Sequence, residues 1–266
     1  MKYIYLIFSS IIIAYLVLLV FIFFYQRNLL YHPSENNYQN DTIQFSYDEI
    51  FIKVDEKIKL KSWIINKNLK KFKTIIFFHG NAGELSNRIY KLNELNKLDI
   101  NILLISWRGF SGNKGFPTEK NLYKDAEAAI KWLNSKEVKN NKIILYGESL
   151  GTGVAVEIGK KNTFNSIILE SPFTSMESTA KIYYPYLPVK LLLKDRYNSI
   201  SKIQSIQTPI LIMHGKKDNI VPFSMGKELF EKANNPKHSY FTSEDDHMME
   251  FNDQMLKNIK KFIEKY

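Results

Sequence analysis

The sequence predicts a mostly parallel α/β sheet wound on both faces by helices. Three observations carry this. From residue 74 onward, short apolar, β-branched runs alternate with stretches of helical spacing. Such alternation implies parallel strands covered on both sides. Next, the strand-like run 142–146 passes through Gly147-Glu148-Ser149-Leu150-Gly151 into a helix-compatible run, 152–158. Strand, G-x-S-x-G and helix in that order describe a tight turn that lifts a serine hydroxyl above a sheet. Finally, Asn81, Ser149, Asp218 and His247 each follow a predicted strand. That places them at the carboxyl ends of the strands, where such sheets bind their ligands.

The first element is apolar. Residues 3–25 carry no charge, and Ser9-Ser10 is the only strongly polar pair. As a helix the run is long enough to cross ~30 Å of hydrocarbon, and the Tyr and Phe at its ends suit the interfaces. A cleaved signal peptide would be shorter and would end in small residues. Phe21-Ile22-Phe23-Phe24-Tyr25 stands in that place instead. A buried core helix would show a polar face, and this run has none. The expectation is a transmembrane anchor over residues 1–27. Lys2 and the α-amine on one side and Arg27 on the other hardly discriminate its orientation. The N-terminus is expected inside and the rest of the chain on the non-cytoplasmic side. Residues 28–48 are polar, with Pro33, Asn36, Asn37 and Asn40, and read as a linker. Asn40-Asp41-Thr42 within it matches a glycosylation acceptor, which matters only in a eukaryotic secretory route.

The remaining 49–266 reads as one domain. Residues 49–54 and 58–65 alternate around a polar Asp55-Glu56-Lys57 turn and predict an antiparallel hairpin. A buried strand, 74–78, leads into His79-Gly80-Asn81-Ala82-Gly83 and a helical stretch, 84–98. The strand 100–107 ends in Arg108-Gly109-Phe110-Ser111-Gly112. A helix over 119–136 follows, with Ala126, Ala129, Ile130 and Leu133 at helical spacing. After the serine turn and its helix comes a strand at 166–170. From 171 to 206 the pattern is irregular, broken by Pro172, Pro185 and Pro188. It reads as a small helical lid inserted after a strand. The strand 209–214, a helix at 224–234, a weaker strand at 239–242 and an amphipathic helix at 250–265 complete the chain.

Composition narrows the chemistry. At 266 residues with 45% hydrophobic content, the chain can bury a large core. It has no cysteine, which excludes disulfides, thiol catalysis and cysteine-based metal sites. The net charge of +10 could attract an acidic partner. The cations are nearly all Lys and are spread along the chain. Arg occurs only at 27, 88, 108 and 196, so no phosphate- or base-reading surface is expected, and no nucleic-acid partner. H-E-x-x-H and both glycine-rich nucleotide fingerprints are missing, and no metal or cofactor is expected.

A serine hydroxyl needs a base within hydrogen-bond reach and a carboxylate to orient that base. In this strand arrangement the chain order is Ser, then Asp or Glu, then His. Downstream of Ser149, His214 falls at the end of a buried strand and His238 in a polar turn. His247, in the loop before the last helix, is the best placed. Asp218 follows the strand ending at His214. Glu170 ends the preceding strand and is the alternative acid, or a residue lining the pocket. Asp245 and Asp246 are too close in sequence to face the same ring. An oxyanion needs donors: the backbone N–H of Leu150 and that of Asn81 are the candidates. His79 reads as structural, and Arg108 with Asp125 as partners holding the loop 108–115.

Over about residues 45–266 the sequence resembles the α/β-hydrolase superfamily. More narrowly, it is similar to single-pass, membrane-anchored α/β-hydrolase-domain proteins that group with serine aminopeptidase-like hydrolases. The stretches that carry this are F-F-H-G-N-A-G at 77–83, W-R-G-F-S-G-N-K-G at 107–115, Y-G-E-S-L-G at 146–151, E-S-P-F-T-S at 170–175, H-G-K-K-D-N-I-V-P at 214–222 and D-D-H at 245–247. The anchor and Leu30-Tyr31-His32-Pro33 also resemble that group. One departure is Asp246, where relatives commonly carry a small residue. The resemblance implies Ser149 as nucleophile, Asp218 as acid and His247 as base. It implies a serine hydrolase of the esterase, thioesterase or peptidase kind, acting on a small-molecule or acylated substrate. The apolar lid and the anchor point to an apolar acyl group. The rival expectation is a non-catalytic hydrolase-fold binding module at the membrane.

Overall fold

The computed structural model describes residues 1–33 and 42–266. Asn40 and Asp41 of the glycosylation acceptor, and residues 34–41 of the expected linker, lie outside the described residues. The chain opens with α1, Lys2–Leu30, a single helix none of whose residues is buried. It runs past the apolar stretch into residues 28–30, where the linker was expected. Tyr31 then enters the domain core at 4% exposure. Among the described residues α1 is the one helix long and apolar enough to cross a membrane.

The hairpin forms as β1, Asp48–Lys53, and β2, Lys59–Ile65. The strand β3, Lys73–Phe78, leads through a 3-10 turn at Leu85–Arg88 into α2, Ile89–Leu95. This helix is shorter than the predicted 84–98, because Glu84 and Asn87 cap one another reciprocally and hold the entry as a separate turn. The order continues with β4, Ile100–Ile105; α3, Glu119–Ser135; β5, Ile143–Glu148; α4, Leu150–Lys161; and β6, Ser166–Glu170. Then come α5, Met176–Tyr183; α6, Val189–Leu192; β7, Ile210–Gly215; α7, Phe223–Lys232; β8, Lys237–Thr242; and α8, Asp253–Lys265.

One eight-stranded sheet results, in the order β1-β2-β4-β3-β5-β6-β7-β8. The strands from β4 to β8 pair in parallel, while β1 and β2 pair antiparallel at one edge. The central strands β4 and β5 are buried along their whole length. That is why their sequences are solid Ile and Leu rather than alternating. One core layer joins α3, α4 and α7 to the sheet through Leu122, Val154 and Leu229. The opposite layer joins α2 and α8 through Leu92, Met255 and Ile259.

The lid is narrower than the expected 171–206. Only α5, α6 and their connection stand out from the body. Tyr197 and Ile203 return to the core, fully buried.

Candidate active site

The serine turn is built by close approach. Ser149 has φ +49°, a left-handed value that a non-glycine residue adopts only at a cost of ~1–3 kcal/mol. The glycines on either side make the turn possible. A Cβ at Gly151 would fall 1.9 Å from the Phe78 carbonyl oxygen, and one at Gly147 would fall 2.6 Å from the Gly151 oxygen. Helix α4 therefore crosses the ends of β3 and β5 at backbone contact. Ser149 occupies the N-cap position of α4 but makes no side-chain cap.

Its hydroxyl turns elsewhere. Ser149 Oγ lies 2.9 Å from His247 Nε2, and His247 Nδ1 lies 2.8 Å from Asp218 Oδ2. A carboxylate only accepts, so His247 Nδ1 carries the hydrogen and Nε2 is free to accept from the serine. The loop holding His247 is fastened to the neighbouring strands. Ser171 Oγ donates to the His247 carbonyl at 2.8 Å. The backbone of Asp245 lies so close to Gly215 that a Cβ there would sit 2.2 Å from its oxygen. Asp246 is exposed and accepts from the Met248 N–H at 2.9 Å.

Asp218 is held by more than His247. Its Oδ1 accepts the N–H groups of Ile220 and Val221 at 2.8 and 2.7 Å. Its Oδ2 lies 3.0 Å from Nε2 of a second histidine, His214, which is fully buried. The other neighbour of that nitrogen is the Val221 carbonyl, also an acceptor, so His214 Nε2 must be the donor. Burial alone would raise the Asp218 carboxyl. The hydrogen bonds from His214 and His247 outweigh it and hold the group below the usual carboxylate range.

The other predicted residues fall as follows. A Cβ built on Gly80 would lie 3.5 Å from Ser149 Cβ, so the loop bearing Asn81 lies beside the serine. Leu150 opens α4 directly after it. His79 is fully buried, with Nδ1 donating to the Gly80 carbonyl at 2.8 Å. Burial, reinforced by the Arg88 cation, lowers its pKa to about 3 and keeps it neutral. Arg108 Nε lies 2.9 Å from Asp125 Oδ1.

Glu170 does not face His247, nor does it line an open pocket. Its Oε1 lies 2.6 Å from Lys91 Nζ, and its Oε2 accepts from Tyr146 Oη at 2.6 Å. Lys91 also reaches Glu148 Oε2 at 2.7 Å, and Arg88 Nη2 reaches Glu148 Oε1 at 2.5 Å. This buried chain of charges lies directly beneath the serine turn. Burial penalises the Glu148 charge, but Arg88 and Lys91 overcome that and lower its pKa. Burial, with the Glu148 charge, pushes Glu170 the other way. The sequence reading missed this network: the only trace of it was a basic pair at 88 and 91 on the face that carries Leu92 and Leu95. Among the described residues no group of three or more His, Asp or Glu is placed to hold a metal ion.

Comparison with known proteins decides the family. Residues 112–264 match the model of the prolyl oligopeptidase family. An uncharacterised protein of Mycobacterium tuberculosis is 33% identical over 222 residues, covering 82% of this chain and 79% of that one. The α/β-hydrolase domain-containing protein 17B of Homo sapiens is 33% identical over 195 residues, covering 71% and 66%. The chain belongs to the α/β-hydrolase superfamily. Among solved α/β-hydrolases, the Pyrococcus furiosus esterase Pf2001 superposes with a TM-score of 0.72 at 20% identity, covering 89% of this chain and 98% of that one. At that identity the likeness supports the fold. The hydrolase domain here thus joins an esterase-like fold to a serine, histidine and aspartate in hydrogen-bonded line.

Proposed function

We propose that this α/β-hydrolase is a membrane-anchored serine hydrolase that cleaves carboxylic esters, thioesters or amides of an apolar acyl group through an acyl-enzyme. The observation that carries the reading is the line Ser149 Oγ, His247 Nε2, His247 Nδ1, Asp218 Oδ2 on a turn strained at the serine. Ser149 Oγ bonds to the substrate carbonyl carbon as its proton passes to His247 Nε2. The carbonyl π pair moves onto oxygen and is received by the N–H groups of Asn81 and Leu150. Collapse breaks the bond to the leaving group, which takes the proton from His247. Water, deprotonated by His247, repeats the sequence, releases the acid and restores Ser149. Asp218 keeps the His247 tautomer fixed and stabilises its charged form.

The test is reaction of the full chain with a fluorophosphonate probe, before and after Ser149→Ala. Labelling is expected to vanish in the variant, and its persistence would move the nucleophile elsewhere. A panel of esters, thioesters and aminoacyl amides of graded chain length then ranks the leaving groups. For the anchor, the protein is expected to stay with membranes through a carbonate wash. External protease is expected to cut the domain in intact cells.

A further inference from the structure

A cleft of about 310 Å³ lies between the end of α1 and the lid. Ile22 and Leu30 of α1 form one wall, Ala180 and Tyr183 of the lid form the other, and Asn81 and Ile220 lie at the floor. Its walls are mostly apolar. Its floor adjoins the proposed reaction centre: Asn81 lies on the proposed oxyanion loop, and the Ile220 N–H holds Asp218. With room of about 30 Å³ for each water-sized group, the cleft takes on the order of ten methylenes.

The anchor is fixed in this place by directional contacts. Arg27 meets Asp195 in a fork, with Nε 2.8 Å from Oδ2 and Nη2 3.1 Å from Oδ1. Gln26 bonds the end of the lid and the segment after it, donating to the Leu192 carbonyl at 3.0 Å and accepting from the Lys194 N–H at 2.8 Å. Asn81 Nδ2 donates to the Leu30 carbonyl at 2.8 Å, and His32 N–H donates to the Asn81 carbonyl at 2.8 Å. The last turn of α1 thus touches the oxyanion loop itself.

The lid also runs back along the anchor. Tyr15 Oη donates to the Tyr186 carbonyl at 2.7 Å. Tyr15 lies twelve residues before Arg27, roughly 18 Å along a helix. At that depth the lid exposes Tyr186, at 63%, while Leu191, next to the Gln26 contact at Leu192, is 82% exposed. Lys194 Nζ sits 4.0 Å from the Phe23 ring centroid, a cation drawn back over an aromatic at the helix end. Apolar side chains at mid-anchor with cations at its end match the depth profile of one leaflet.

We infer that the end of the anchor helix is a wall of the acyl site, that the lid rests in the adjoining leaflet, and that the substrate is a bilayer lipid whose long acyl chain enters the cleft sideways. This rests on Ser149 being the nucleophile. The lipid's chain leaves hydrocarbon for a cleft of like polarity, and its ester bond arrives at the level of Ser149.

The test uses the full chain in phosphatidylcholine nanodiscs, labelled with ethyl and hexadecyl fluorophosphonates. The ratio of the two rates reports the cleft, because both probes react at the same serine. Ile22→Trp on the anchor and Ala180→Trp on the lid are each expected to lower the hexadecyl-to-ethyl ratio by about tenfold or more, the worth of two evicted methylenes. Val17→Trp, outside the cleft, is expected to leave the ratio within about twofold, as befits an exposed substitution. A hexadecyl probe with a photoreactive group in mid-chain is expected to cross-link to α1 near Ile22. Unchanged ratios in both cleft variants, or cross-links confined to other elements, overturn the proposal. Failure of both probes on the unaltered chain overturns the Ser149 reading beneath it. Faster turnover of a palmitoyl-thioester peptide than of a lysophospholipid in the same discs overturns the choice of a lipid substrate.

Discussion

Lys91 Nζ lies 2.6 Å from Glu170 Oε1, and neither side chain reaches water. This contact commits the carboxylate that the sequence offered as the alternative acid. A buried ammonium without its counter-charge is costly, so the network holds Glu170 in place.

The acid assignment is therefore tested by ranking two variants. Asp218→Asn is expected to lower kcat by about 10⁴, because the wrong His247 tautomer is then favoured. Glu170→Gln is expected to leave kcat within about tenfold and to shift the urea midpoint instead. The reverse order in kcat on a p-nitrophenyl ester would move the acid to β6.

Glu148→Gln is expected to cost about 3 kcal/mol at neutral pH, since Arg88 and Lys91 then share too little negative charge. The sign of its pH dependence follows from the lowered pKa of Glu148. Stability from a depressed carboxyl is complete above its unfolded value, 4.5, and is lost as the pH falls through the folded one. The gap between the native protein and the variant should hold from pH 7 to about 5 and narrow below about 4. Urea unfolding at each pH measures it.

Ser149→Gly is expected to unfold at a higher temperature than Ser149→Ala. Both lose activity, but only glycine relieves the φ of +49°, by about 1 kcal/mol net of its chain entropy. Equal melting temperatures in calorimetry would mean that the turn stores no strain.

His214 is a positioning residue for Asp218. His214→Leu is expected to lower kcat about tenfold with KM little changed, the scale of a lost supporting hydrogen bond to a charged group. His214→Gln, which keeps an N–H donor, should recover part of it. Without the His214 bond the Asp218 pKa rises from its depressed value, so the carboxylate is lost at a higher pH than in the native protein. Carboxyl NMR of Asp218 should follow that higher titration. An unmoved Asp218 titration would leave His214 a packing residue.

Most of the sheet was legible because its central strands are buried on both faces and its edge hairpin alternates about a polar turn. Asp48–Lys53 with Lys59–Ile65, and Lys73–Phe78, fall where apolar runs and polar turns put them. Ser149, Asp218 and His247 could be named as candidates because each follows a strand, and the structure brings the three side chains together. The buried charges were not. Lys91 sits in an ordinary helical spacing, and a helix pattern does not say that an ammonium has 0% exposure. Nor could the pairing of Arg27 with Asp195 be read, across 168 residues of chain. Local patterns report which face is apolar, not which charges meet. Helix 84–98 was overextended for a related reason: the reciprocal cap of Glu84 and Asn87 competes with helical hydrogen bonding at its start.

The continuous run from α1 into buried Tyr31 has a mechanical consequence. A helix of 29 residues is about 44 Å long, and it joins the domain without a stalk. With α1 in a bilayer, the domain cannot swing on a tether. Its serine is held at one height, as if by a ruler, and searches for substrate in two dimensions by lateral diffusion. Lengthening the joint after Leu30 would loosen that height and trade a planar search for a volume.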